Sequence, residues 1–175
     1  MGEIRIAALA ASPEIVAGLS EILIDTVASG GSVSFMHPLD PATAQAFWEG
    51  ALAAAARGER IVLGAFAGEV LAGAVSLLLD SPQNQRHRAE IAKMMTRPSH
   101  RGRGVATALL RAAEVEAVKR ARTLLTLDTA ADDGASGFYE KLGYTLAGTI
   151  PDYAFKPRGG LTATMLYWKR IGSRA

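Results

Sequence analysis

The chain has 175 residues, 49% of them hydrophobic and 21% charged, with a formal net charge of +2. That suffices for one domain with a substantial core and gives no global drive towards nucleic acid or an anionic membrane. There is no Cys, which excludes a disulfide framework, a thiolate nucleophile and a cysteine metal site; His37, His87 and His100 lack ligand spacing, so no metal is expected.

The N-terminus carries an early acid and no apolar core of signal-peptide form, and no stretch approaches the roughly 20 apolar residues that span a bilayer. A cytoplasmic location without a membrane partner is therefore expected. Ile4 and Ile6 alternate with polar neighbours and predict a short first strand. Ser12-Pro13-Glu14 gives an N-cap followed by Pro at the first helical position, and Ile15, Leu19, Ile22 and Leu23 keep helical spacing to about Val27. A glycine-rich stretch, Ser29 to Met36, precedes a second helix opened by Asp40-Pro41, with Ala44, Phe47, Trp48 and Leu52 on one face. That stretch is either a lining for an acceptor substrate or a plain connection with Phe35 tucked into the core.

Arg60 to Phe66 and Val70 to Leu79 are predicted strands around the tight turn Ala67-Gly68-Glu69, apolar enough to be covered on both faces. Asp80 to Arg88 is a polar loop. Ala89 to Thr96 is the next strand, and Pro98 ends it, since proline cannot donate to a ladder and biases Arg97 towards an extended conformation. Glu90 stands out at the start of this largely apolar strand, where an acid is unusual unless it has a task or a partner such as Arg88 or Lys93.

Arg101-Gly102-Arg103-Gly104-Val105-Ala106 follows, leading into a helix from about Val105 to Ala121. Its predicted apolar face holds Val105, Ala108, Leu109, Ala112 and Val115, opposite Arg111, Glu114 and Arg122. A strand, a basic glycine loop and a helix start make a site for a phosphorylated ligand. The glycines let backbone N–H groups turn into one hollow, the helix start adds unpaired donors, and Arg101 and Arg103 add full charges. The alternative is a solvated basic turn. The loop is not a P-loop, lacking Gly-Lys-Ser/Thr, nor a dinucleotide fingerprint, since Thr107 replaces the third glycine.

Thr123 to Asp128 predicts a short parallel-type strand, with Asp128 at its carboxyl end, where ligands gather in open α/β sheets; its alternative role is a helix N-cap. Asp132 to Tyr144 reads as a short helix, with Asp132 and Asp133 favouring its start and Gly143 stopping it. Leu146 to Ile150, a loop from Pro151 to Gly160 and a last strand from Leu161 to Lys169 complete the chain, with Ser173 to Ala175 frayed.

Arg101, Gly104 and Ala106 meet the pattern Q/R-x-x-G-x-G/A, and with the preceding strand and Pro98 they resemble the acetyl-CoA loop of the GNAT family of N-acetyltransferases. Ala135, Phe138, Tyr139, Gly143 and Tyr144 match a second family motif, Asn-x-x-Ala-x-x-Phe-Tyr-x-x-x-Gly-Phe, with Asp132 at the Asn position. Both motifs occur in order within about Ala89 to Tyr144, and the chain is identified as a member of that family. The stretches SGGSVSFMHPL and IPDYAFKPRGGLTATMLYWK further resemble its tabtoxin-resistance branch.

The resemblance implies a single α/β domain with a central, mixed, mostly antiparallel twisted sheet, flanked by helices and splayed into a V between its two central parallel strands. It implies acetyl-CoA as donor, held by Met94, Met95 and Thr96, by the loop Arg101, Gly102, Arg103, Gly104, Val105 and Ala106, and by Asp132, Ser136, Phe138 and Lys141. Tyr139 would be the general acid and Glu90 the base, directly or through a water, with Asp128 as second candidate or sharing the task. Ser32, Ser34 and Phe35 would face the acceptor, a small-molecule amine, and a homodimer is the family expectation. A non-catalytic acetyl-CoA sensor and a protein N-acetyltransferase are the competing readings. A nucleic-acid module is disfavoured because the basic residues concentrate at one loop.

Overall fold

A computed structural model gives the fold and describes residues 4–172. Strand β1 (Ile4–Ala8) leads into helix α1 (Pro13–Ala28). The Ser12 hydroxyl accepts from the Ile15 N–H, and Pro13 sits where its missing N–H leaves no bond unmade, so this start is set locally. Helix α2 (Pro41–Ala56) opens the same way, with Asp40 accepting from the Thr43 N–H. Then come β2 (Arg60–Ala67), β3 (Val70–Leu78), β4 (Arg88–Thr96), α3 (Val105–Lys119), β5 (Leu124–Ala130), α4 (Ser136–Lys141), β6 (Thr145–Phe155) and β7 (Leu161–Arg170).

The seven strands form one sheet in the order β1-β2-β3-β4-β5-β7-β6. Neighbours run antiparallel except β4 and β5, whose parallel pairing covers only Arg88–Glu90 against Leu124–Thr126. Both strands continue past that point without pairing to each other, so the sheet opens into the expected V. Strand alternation sorts the core into two parts. Ile61, Leu63, Leu77, Ile91 and Leu125 pack with Leu109 and Leu110 of α3, while Val62 and Met95 pack with Leu19, Trp48 and Leu52 of α1 and α2.

A bulge interrupts β4. Ser76 pairs with Ala92 but Ala74 pairs with Met95, so Lys93 and Met94 together oppose Val75. Lys93 takes φ +52°, a left-handed conformation. In a regular strand Ile91 and Met95 would share a face; here they belong to opposite cores, because the extra residue flips the remainder of the strand. Gly73, on β3, meets this strand closely: a Cβ there would lie 2.6 Å from the Met95 carbonyl oxygen and 2.8 Å from Val105 Cγ1.

Several expectations need correction. Pro151 to Phe155 is strand rather than loop; β6 absorbs Pro151 because it is an edge strand, with a register irregularity between Ile150 and Ala154. Helix α3 ends at Lys119, and its buried stripe is Val105, Leu109, Leu110, Ala113 and Ala117. Val115 instead faces solvent at 52% exposure, while Glu114 turns inward to meet Lys169 Nζ at 2.7 Å. The helix expected over 132–144 is split: Ala131–Asp133 is a separate 3-10 turn, and Gly134 at φ +67° breaks the path before α4. Asp132 therefore lies outside the start of α4. Strand β5 runs two residues beyond Asp128, which rules out its alternative role as a helix N-cap. The expectation for Ser173 to Ala175 lies outside the described residues.

Candidate active site

The V between β4 and β5 holds a cavity of about 880 Å³. One wall is β4 from Glu90 to Thr96; the other carries Asp128 of β5, Thr164 of β7 and Tyr153 of β6. Tyr139 reaches it from α4, and the segment 29–34 covers one end, where Ser32 and Ser34 are lining residues. Arg101 and Ala106 line it as well.

The glycine loop has the conformation its composition demands. Gly102 and Gly104 take φ +73° and +80°, and open space surrounds the position of a Cβ at either. Backbone conformation, not crowding, is what requires glycine there. Gly104 is the N-cap of α3 and offers no side-chain cap, so the first helical N–H groups keep no local side-chain acceptor. Val105 buries its side chain against β3 and contributes backbone alone. Arg101 Nη2 donates to Ser29 Oγ at 3.3 Å, and Arg103 is exposed.

Glu90 sits at the apex of the V, its side chain 42% exposed and 3.8 Å from Arg88 Nη1. The edge ion pair that its position suggested is thus present, yet the carboxylate still lines the cavity. Asp128 accepts from Thr164 Oγ1 at 3.0 Å. Tyr139 is 6% exposed, packed edge-on against Phe138 and Tyr144 with ring centroids 5.1 and 6.0 Å away, and tilted against Tyr167 at 5.8 Å. A neighbouring tie holds the end of α4: Lys169 Nζ donates to Glu114 Oε1 and to the Leu142 carbonyl at 2.7 and 2.8 Å. Burial and the Glu114 carboxylate push the Tyr144 phenol well above its ordinary range, so it stays neutral.

The other expected residues are spread differently. Met94, Met95, Thr96, Asp132 and Phe138 line the cavity; Lys141 is exposed and outside the lining, and the side chain of Ser136 lies outside the described residues. Asp132, at the family's Asn position, makes a 2.6 Å ion pair with Lys156, which holds its carboxyl below the usual range. Phe35 is absent from the lining and packs edge-on against Phe47 at 5.3 Å. The β6–β7 turn clasps the cover: the His37 N–H donates to the Pro157 carbonyl at 2.8 Å, and Arg158 Nη2 donates to the Ala28 carbonyl at 2.9 Å.

Lys93 and Thr164 are site residues that the sequence did not single out. A lysine inside EIAKMM was a faint signal for the first, but only the bulge decides where it points. Thr164 had none, since its role depends on pairing between β5 and β7. Among the described residues no cluster of three His, Cys, Asp or Glu could hold a metal ion, and no helix is long and apolar enough to cross a membrane.

Comparison with known proteins agrees with this geometry. The profile of the acetyltransferase (GNAT) family matches residues 27–144. An N-acetyltransferase from Staphylococcus aureus Mu50 superposes with a TM-score of 0.81 at 19% identity, over 98% of this chain and 100% of that one. A putative acetyltransferase from Salmonella typhimurium, solved with its cofactor acetyl-CoA, gives 0.77 at 20% identity over 98% and 96%. An aminoglycoside 6'-N-acetyltransferase complexed with coenzyme A gives 0.75 at 19% identity over 98% and 99%. At such identities the structures share the fold; the profile match covers more than half the chain, and the chain belongs to the acetyltransferase (GNAT) family.

Proposed function

We propose that this member of the acetyltransferase (GNAT) family is an acetyl-CoA-dependent N-acetyltransferase acting on a primary amine of a small molecule. The observation that carries the reading is one cavity lined by Arg101 and Ala106, the two ends of the glycine loop, together with Glu90, Asp128 and Tyr139. The fit to the donor rests on the open space and left-handed backbone at Gly102 and Gly104, the uncapped start of α3 and the Arg101 cation. Acetyl-CoA, when bound, supplies an acetyl thioester. Arg101 and the N–H groups of Gly102 to Ala106 would hold its phosphates, and the unpaired edge of β4 from Met94 to Thr96 would hold its arm.

Glu90 is the base in this reading, taking a proton from the acceptor nitrogen on a carboxylate oxygen, while Asp128, oriented by Thr164, holds the ammonium as it enters. Tyr139 Oη gives a proton to the departing sulfur. No covalent bond to the protein is needed, in keeping with a chain that has no Cys. The clasp between the 28–37 segment and the β6–β7 turn supports a small acceptor in preference to a protein chain. The exposed edge strand β6, carrying Ile150, Tyr153 and Phe155, supports a homodimer, which sedimentation checks.

The test is thiol release from acetyl-CoA across a panel of amines, including amino acids, polyamines and tabtoxinine-like β-lactams. Turnover identifies the acceptor class. Cofactor binding with no thiol release on any amine would overturn the reading and assign a non-catalytic sensor.

A further inference from the structure

Lys93 occupies an unusual position for a lysine. It lines the cavity, half-buried, at the bulge of β4. Its ammonium has three donors, and the hydrogen bond that it makes goes to a neutral group, Ser34 Oγ at 2.9 Å. Among the described residues no carboxylate lies within 4.0 Å of it. The nearby acids are Asp128 and Glu90, whose pull fails to offset burial, so its pKa falls below the ordinary lysine value; the Arg60 cation pushes the same way. Arg60 Nε is itself buried without a hydrogen-bond partner among the described residues.

The backbone is held in place for this arrangement. Ser34 and Lys93 are two of four non-glycine residues with positive φ among those described, at +74° and +52°. Each such conformation costs about 1–2 kcal/mol and persists where the surroundings fix it, commonly at binding sites. Without the bulge Lys93 would continue the alternation of β4 and fall on the face that Ile91 shares with α3. With it, the ammonium itself faces the rings of Phe47 and Phe35, 5.7 and 6.0 Å from their centroids, and reaches Ser34 in the loop covering the acceptor end.

We propose that Lys93 is the receptor for an anionic oxygen group on the acceptor, so that the substrate is an acidic amine: its nitrogen faces Glu90 and Asp128 while its anion takes the spare donors of Lys93. The assignment rests on the acyl-transfer reading of the same cavity. A half-buried ammonium with unused donors gains most from an entering anion, since both its lost hydration and its idle N–H groups are then compensated. Phe35 and Phe47 belong to this device as the rings that the ammonium faces, which gives Phe35 a place in acceptor recognition without contact to the acceptor.

Two measurements test the proposal. The first compares kcat/KM for alanine, methionine and glutamate with that for their methyl esters, in the wild type and in Lys93→Met. The free acids should be preferred, and the acid-over-ester ratio should fall about tenfold or more in the variant, as expected for loss of a charge-assisted bond. Esters used as well as acids, or a preference that survives the substitution, overturns the proposal. The second needs no turnover and no variant: labelling of Lys93 by an amine-reactive reagent in the CoA-loaded protein, read by peptide mass spectrometry. N-acetyl-L-glutamate should protect Lys93 and its dimethyl ester should not; equal labelling overturns the proposal. Protection by the acid with no turnover of any amine would sink the transfer reading and leave the anion receptor standing.

Discussion

Glu90 and Thr126 are the last residues paired across the parallel junction of the sheet. Past them β4 and β5 part, which puts Glu90 at the apex of the cavity and Asp128, two residues beyond Thr126, on the opposing wall. Two carboxylates on diverging strands thus face one space, and their different supports give them different expected roles.

Glu90, at the apex of the cavity, is the proposed base, so Glu90→Gln should lower kcat about 100-fold, within the usual range for loss of a general base. Asp128→Asn should act mainly on KM, because it removes a charge held by Thr164 near the entering cation. Steady-state kinetics on any accepted amine separate the two. The reverse pattern would exchange the roles.

Gly104→Asp should abolish measurable acetyl-CoA binding by calorimetry. It places a negative side chain where the phosphates are expected, at a residue with φ +80°. Gly104→Ala is the comparison: it carries the conformational cost of about 1–2 kcal/mol without the charge and should weaken binding less. Normal affinity in the Asp variant would remove the loop from the site.

Tyr139→Phe removes one oxygen from a side chain that is 6% exposed and packed against three aromatic rings. Packing is retained, so cofactor affinity should change little while kcat falls about 100-fold. Unchanged turnover would make Tyr139 a packing residue.

Gly73→Ala should destabilise the fold. The new Cβ would meet the Met95 carbonyl oxygen at 2.6 Å and Val105 Cγ1 at 2.8 Å, and backbone cannot yield as a flexible side chain does. Overpacking of this kind costs about 1–3 kcal/mol, and a chain of this size loses about 2–4 °C in Tm per kcal/mol. Thermal melting checks it, and an unchanged Tm would mean that β3, β4 and α3 adjust freely.

Asp132 offers a pH test. The hydrogen bond from Lys156 holds its carboxyl below the ordinary value of 3.8. A folded-state pKa below the unfolded one stabilises the fold at pH above 3.8, and the contribution is lost as pH falls through the folded value. The pair is largely exposed and salt-screened, so the readout is the titration of the carboxyl itself by NMR. Lys156→Met should bring its midpoint back up towards 3.8. A midpoint indifferent to the substitution would mean that the ion pair does not form in solution.

The sequence by itself determined what depends on neighbours along the chain. Ser12 with Pro13 and Asp40 with Pro41 set two helix starts, Pro98 ended β4, and the glycines at 102 and 104 specified the turn before α3. These are local hydrogen bonds and φ preferences, and they also made the family legible. What spans distant parts of the chain was decided only by tertiary structure. Glu114 entered a half-buried tie with Lys169, against its place on the predicted polar face, because β7 supplies a partner 55 residues away. Asp132 met Lys156 and not the start of a helix, because the β6–β7 hairpin folds back over α4's approach. Lys93 shows the difference most plainly. Period-two alternation would place it on the α3 face, and one extra residue in β4, fixed by packing against β3 and not by any local signal, turns it into the cavity.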